Sequence, residues 1–189
     1  IFNMDETGLF FRALPTRTYV CREEGQRKTV RGTKALRAKD RLTLVLCANA
    51  TGTCKIDPLL VGSAKNPHCF RDQQSPVPYV NLKNAWVDRE IYRGWWNNIF
   101  LPAIRKHTKE PVALLMDNCS GHDPSCADPT GQVEIIFFPP NCTSVFQPLD
   151  QGIITTLKTL YKREMLSSFA AAYEKFEELQ ELAKKVWSS

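Results

Sequence analysis

PVALLMD, residues Pro111–Asp117, and VEIIFF, residues Val133–Phe138, decide the fold. Each holds a continuous apolar run of strand length, the pattern of a strand buried on both faces. Pro139 and Pro140 stop the second run. Ahead of the first, Asp88 suits the N-cap of a helix predicted to run to Ile104. Ile91, Trp95 and Ile99, with Trp96, Phe100 and Ile104, recur on one wide apolar face, and Pro102 is expected to kink or end the last turns. A helix placed between strands in this way is a crossover, which pairs strands in parallel.

Upstream, Ile1 to Asp5 reads as a strand, and Leu9 to Leu14 as its continuation or its hairpin partner across Thr7-Gly8. Arg41 to Ala50 alternates Leu42, Leu44 and Leu46, and a Thr51-Gly52 turn leads into a strand over Thr53 to Val61. Gly62 to Pro78 reads as irregular loop. From Asp150 to Trp187 the pattern is helical, as two helices meeting near Ser167 to Tyr173. The sequence thus predicts one α/β domain over residues 1–189. Its sheet is mixed and five-stranded, three antiparallel strands followed by two parallel ones, with flanking helices.

Hydrophobic residues make up 43% and charged residues 24% of 189, a globular mix that argues against disorder. No apolar run is long enough to span a bilayer, so no membrane partner is expected. The chain opens on Ile1 rather than Met, which predicts a piece of a longer protein. Seven cysteines exclude a complete disulfide set and fit a reducing cytosolic or nuclear setting. The three Asn-x-Ser/Thr matches, at Asn49, Asn118 and Asn141, read as chance.

Net charge is +5, yet Arg12 to Arg41 carries ten Lys/Arg against Glu23, Glu24 and Asp40, a local +7. Such concentration marks a polyanion contact. With Tyr19 as the segment's only aromatic, it reads as a surface for backbone phosphates rather than for bases. On charge alone, a solvated hairpin without a partner is the other reading.

Three aspartates stand out by position. Asp5 lies in the first strand, Asp117 directly follows PVALLM, and Asp150 opens the helix after the second buried strand. Helical spacing puts Asp150, Ile153, Ile154, Leu157 and Tyr161 on one face, with Lys158, Lys162 and Arg163 outside. Carboxylates at strand ends serve as helix caps, as ion-pair partners or as ligands of a hard cation. If the strand ends are neighbours, the three would suit Mg²⁺ or Mn²⁺, and two ions could clamp an in-line phosphoryl displacement.

NMDETGLFFRALPTRT (Asn3 to Thr18), LLMDNCSGH (Leu114 to His122) and PPNCTSVFQPLDQGIITTLK (Pro139 to Lys158) closely resemble the DDE-type transposase domain of the pogo/Tigger group, which includes the Tigger-derived, jerky and centromere protein B families. LLVGSAKNPHCF (Leu59 to Phe70) is similar to the group's third strand and following loop. The resemblance runs from Ile1 to about Phe169, with three linked motifs in the correct order. Phe11 departs from it, standing where many relatives carry Trp. It implies an RNase H-like fold, a metal-binding and catalytic triad of Asp5, Asp117 and Asp150, and two Mg²⁺ or Mn²⁺ ions. It also implies cleavage and joining of double-stranded DNA in the nucleus, with insertion at TA steps. Helix-turn-helix units would precede the domain, outside this chain, and a full-length protein has room to act as a homodimer on DNA. A domesticated nuclear DNA-binding protein that keeps the fold without catalysis is the alternative.

Of the other polar residues, Glu6 adjoins Asp5 and is expected on the opposite strand face. Glu164 lies 14 residues past Asp150, roughly 21 Å along a helix, and is excluded from the site. Asn118 follows the second acid as candidate support, and His122 either orients water or phosphate or fixes its loop by a backbone hydrogen bond. Gln147 and Gln151 are expected to shape the turn at Asp150. Cys119, His122, Cys126 and Cys142 fit no standard zinc spacing. Trp95 and Trp96 read as core. Phe176, Leu179, Ala183 and Val186 give the C-terminal stretch an apolar side. Arg17, Arg27, Lys28, Arg31, Lys34 and Arg37 are the expected DNA contacts. Neutralising Arg27, Lys28 and Arg31 together is expected to flatten the salt dependence of DNA binding, by about 0.9 in log–log slope for each phosphate no longer neutralised. Anisotropy titrations at several salt concentrations would read this, and an unchanged slope removes the segment's role.

Overall fold

The computed structural model describes residues 1–13, 41–140, 142–173 and 185. The six expected DNA contacts and the C-terminal apolar positions lie outside the described residues. The chain groups into two compact units. The first is Ile1–Leu9 with Leu42–Leu157, and the second is Phe10–Arg41 with Lys158–Ser189.

The first unit is built on a sheet of β1 (Phe2–Phe10), β2 (Arg41–Asn49), β3 (Lys55–Gly62), β4 (Tyr79–Asn81), β5 (Val112–Met116) and β6 (Val133–Phe137). The spatial order is β4-β3-β2-β1-β5-β6. β2 and β3 pair antiparallel, with a register shift between Val45 and Cys47, while β1–β5, β5–β6 and β3–β4 are parallel. The sheet is mixed, as expected, with six strands rather than five. The sixth, β4, is three residues long and adds to an edge beside Pro78, too short to leave a periodic signal. Leu9 and Phe10 continue β1 rather than forming a hairpin.

Helix α1 (Arg89–Trp95) begins where expected: the Asp88 side chain accepts the Ile91 N–H at 2.9 Å. Pro102 does not end the helix. Trp96–Phe100 forms a wide π turn, closed by a bond from the Leu101 N–H to the Trp96 carbonyl, and α2 (Leu101–His107) follows. Proline lacks an N–H and its ring crowds the carbonyl four residues back; the wider turn absorbs both demands.

This helical stretch covers one sheet face. Phe100 stacks on Trp95 and Trp96 at 5.1 and 5.2 Å and meets the edge of Phe2 at 6.2 Å. Both tryptophans are core residues, buried with Met4, Val45, Leu59, Leu114 and Met116. β5 buries Val112, Leu114 and Met116 fully and Ala113 and Leu115 partly. β6 departs from the expectation of two buried faces: it is an edge strand, and Ile136 is 41% exposed.

After β6 come α3 (Thr143–Phe146), a 3₁₀ turn at Pro148–Asp150, and α4 (Ile153–Tyr173), a single unbroken helix. The expected common face of Asp150, Ile153, Ile154, Leu157 and Tyr161 does not form. Asp150 belongs to the separate turn, Gly152 breaks the path at φ +100, and Ile153 is 56% exposed. Ile154 is the buried residue of this end. In the second unit, Met165 and Phe169 are buried and pack with Tyr161 and Ala172, and the Tyr161 hydroxyl donates to the Phe11 carbonyl at 3.0 Å. Glu164 pairs with neighbouring Arg163 on the exposed side of α4.

Phe100 joins three aromatic partners at once, so Phe100→Ala is expected to cost about 3–5 kcal/mol and Phe100→Leu much less. Urea denaturation of both variants would measure this; equal costs would mean that the cavity collapses.

Candidate active site

The parallel register of β1 with β5 sets Phe2 against Leu114 and Asn3 against Leu115. Continued two steps, the same offset brings Asp117, just past the end of β5, level with Asp5. Asn3 ties the strands together by donating to the Leu115 carbonyl at 3.0 Å.

The third acid arrives through buried amides. Gln147, fully buried, accepts from Asn3 Nδ2 and donates to the Met4 carbonyl at 3.1 Å, while the Leu149 N–H donates to Asn3 Oδ1 at 3.1 Å. The turn bearing Asp150 is thereby held against β1 beside Asp5. Gln147 therefore shapes the turn, and Gln151 does so too, donating to the Val145 carbonyl at 3.3 Å.

Electrostatics report the convergence. Burial, reinforced by the carboxylates of Asp150, Glu6 and Asp117, pushes the Asp5 carboxyl from its usual 3.8 up to about 7. Asp5 is 8% exposed, and its Oδ1 accepts the Glu6 N–H at 2.8 Å. Burial also raises Asp117; His122 pulls it back, and Glu6 adds to the rise.

The loop after β5 is fixed from several sides. His122 is buried, its Nδ1 donating to the Asp117 carbonyl at 2.9 Å and its Nε2 lying 2.8 Å from Glu6 Oε1. Burial disfavours the imidazolium, but Glu6 and Asp117 outweigh it and lift the His122 pKa above 6.5. Nδ1 also lies 3.3 Å from Asp117 Oδ1, yet its hydrogen goes to the carbonyl, and Oδ1 stays buried without a hydrogen bond among the described residues. The Tyr92 ring packs on His122 at 5.1 Å. Arg93 pairs with Asp123, whose carboxyl is held low by Ser125 and Arg93. Gly121 is required by space, since a Cβ there would stand 2.7 Å from the Val87 carbonyl oxygen. Asn118 is exposed.

A family model described as DDE superfamily endonuclease matches residues 39–186. The chain belongs to this family. It is 39% identical over 161 residues to human Jerky protein homolog, an alignment covering 81% of this chain and 28% of that protein. It is 31% identical over 198 residues to human Tigger transposable element-derived protein 7, covering 98% and 35%. Against mouse Tigger transposable element-derived protein 4 it is 32% identical over 179 residues, covering 94% and 33%. The chain thus spans about a third of these relatives. No solved structure matches it. The mixed sheet with helices agrees with the RNase H-like fold of DDE nucleases, and no described helix is long and apolar enough to cross a membrane.

Within this DDE domain, sequence reasoning missed Glu6 and Asn3. Strand alternation alone predicts Glu6 on the face opposite Asp5 and gives no sign that the loop after β5 carries His122 round to meet it. Among the described residues, Glu6, Asp117 and His122 form a group whose potential ligand atoms lie within 4.8 Å of one another. Both His122 nitrogens are engaged with oxygens, so this trio fixes the loop that carries Asp117. The cysteines near His122 form no such group among the described residues.

Asp5 binds more protons folded than unfolded between pH 3.8 and about 7, so its ionisation lowers stability as pH rises through that window. In chelator, Asp5→Asn is expected to melt higher than the native chain at pH 8, by up to roughly 4 kcal/mol, with the gap closing towards pH 4. Paired thermal melts at the two pH values test this; a pH-independent difference contradicts it.

Proposed function

We propose that the chain is a divalent-metal-dependent domain that cuts and joins DNA strands, with Asp5, Asp117 and Asp150 as its metal-holding carboxylates. The observation that carries the reading is the buried Oδ1 of Asp117, which has no hydrogen bond among the described residues, beside a carboxyl raised to about 7 by burial and its acidic neighbours. Acids crowded in this way cost stability unless a cation balances them, and hard oxygen donors suit Mg²⁺ or Mn²⁺. Bound there, two such ions would polarise a phosphodiester and stabilise the attacking and leaving oxygens.

The rest falls to the protein's own groups. Asn3 and Gln147 fix the spacing of Asp150 to β1. His122, as imidazolium, satisfies the Asp117 carbonyl and Glu6 together, which holds the Asp117 carboxylate in one orientation. The basic segment, with Arg17, Arg27, Lys28, Arg31, Lys34 and Arg37, supplies phosphate contacts to duplex DNA. The setting is the nucleus, and a full-length protein would work as a dimer on DNA. The Tigger relatives are named as transposable element-derived, and a second reading for this chain is a DNA binder that keeps the fold without cutting.

Metal binding to the native state alone should raise stability by about 1.4 kcal/mol at a tenfold excess over Kd, or roughly 3–6 °C in Tm. Millimolar Mn²⁺ or Mg²⁺ is expected to give this shift in the native chain and none in Asp117→Asn or Asp150→Asn. Nicking of a duplex oligonucleotide should follow the same pattern. A metal shift without nicking selects the second reading, and no shift in the native chain rejects the metal site.

A further inference from the structure

The segment leading into α1 lies against the loop that carries Asp117 and His122. Two observations fix this: Gly121 fits under the Val87 carbonyl with no room for a Cβ, and Arg89 Nε donates to the Ser120 carbonyl at 3.3 Å. Ser120 is three residues past Asp117. Arg89 is exposed, and its terminal nitrogens have no hydrogen-bond partner among the described residues. Three positions before it, Trp86 is 58% exposed. Of the two acids that flank Arg89, Asp88 is occupied as the α1 N-cap and Glu90 is exposed, and Arg93 is paired with Asp123.

A guanidinium anchored through Nε keeps its outer edge for two parallel bonds to a phosphate. An exposed indole offers a stacking face to an unpaired base. From this juxtaposition we infer that Arg89 and Trp86 form a strand-holding rim beside the carboxylates, Arg89 gripping a backbone phosphate and Trp86 stacking on an unpaired base of the same DNA strand. The inference deepens the proposed function and rests on DNA being the substrate, but it does not require the chain to cut. The basic segment grips duplex backbone at large; this rim would set which strand end lies at the acids.

The test compares Trp86→Ala, Trp86→Phe, Arg89→Ala and Arg89→Lys with the native chain, in calcium to prevent turnover. The probes are a labelled duplex with a four-nucleotide single-stranded overhang and the same duplex blunt-ended. Trp86→Ala is expected to weaken overhang binding roughly tenfold with little effect on the blunt duplex, and Trp86→Phe to retain most of it. Arg89→Ala should lower the log–log salt slope by about 0.7–0.9, and Arg89→Lys should restore it. Asp117→Asn, run alongside, is expected to lose nicking in Mg²⁺ while keeping the overhang preference. Absence of nicking in every protein with the preference intact would reject the catalytic reading and leave the rim standing. Equal binding of both probes by native chain and Trp86→Ala, with an unchanged salt slope in Arg89→Ala, would overturn the rim.

Discussion

Parallel pairing of β1 with β5 is the constraint on which the rest of the first unit depends. Its register brings Asp117 level with Asp5, and its position in the middle of the sheet buries Asp5 and leaves Asp117 part-buried. A one-residue slip would reverse every side chain of one strand relative to the other and part the two acids. Asn3 opposes such a slip because its amide serves the Leu115 carbonyl, Gln147 and the Leu149 N–H together. The same side chain therefore sets the register of the strands and the approach of the third carboxylate.

The site carries a built-in electrostatic conflict that the fold contains rather than relieves. Asp5, Asp117, Asp150 and Glu6 interact unfavourably as carboxylates, and His122 is the partner placed against two of them. Its position is secured by packing on Tyr92, whose hydroxyl reaches Met116 Sδ at 3.3 Å, and by the Arg93–Asp123 pair behind the loop. Residues on the helix that covers the sheet thus hold the loop that holds the acid. Removing any one of these supports would be felt first as disorder of the loop between Asp117 and Asp123, not of the sheet.

Much of this is legible in the sequence because periodicity and capping are local. The Asp88 cap, the buried PVALLM strand and the Trp95–Trp96 core follow from residue type and spacing within a few turns. The three motifs locate the acids because each sits in or beside an element that its own sequence defines: Asp5 within β1, Asp117 just past β5 and Asp150 in the turn before α4. What stays hidden is non-local. The Glu6–His122 contact joins residues 116 positions apart through a loop whose path no pattern encodes. Asn3 has the look of an ordinary strand residue, and only the arrival of Gln147 gives it a role. Helical spacing runs smoothly back through Asp150 and groups it with the following helix, whereas Gly152 at positive φ ends that continuity.

The wide turn at Trp96–Phe100 carries a mechanical consequence. Tyr92, Trp96, Phe100 and Ile104 all face inward at intervals of four. In a regular α-helix such positions drift by about 40° per step and would leave the sheet face within three steps. Underwinding the helix once cancels the accumulated angle, so the aromatic seam stays in phase with the strands beneath it. The residue count between the Asp88 cap and Ile104 is therefore a tuned length. Deleting one residue would rotate the downstream half by about 100° and turn its apolar side to water, whatever the composition of what remained.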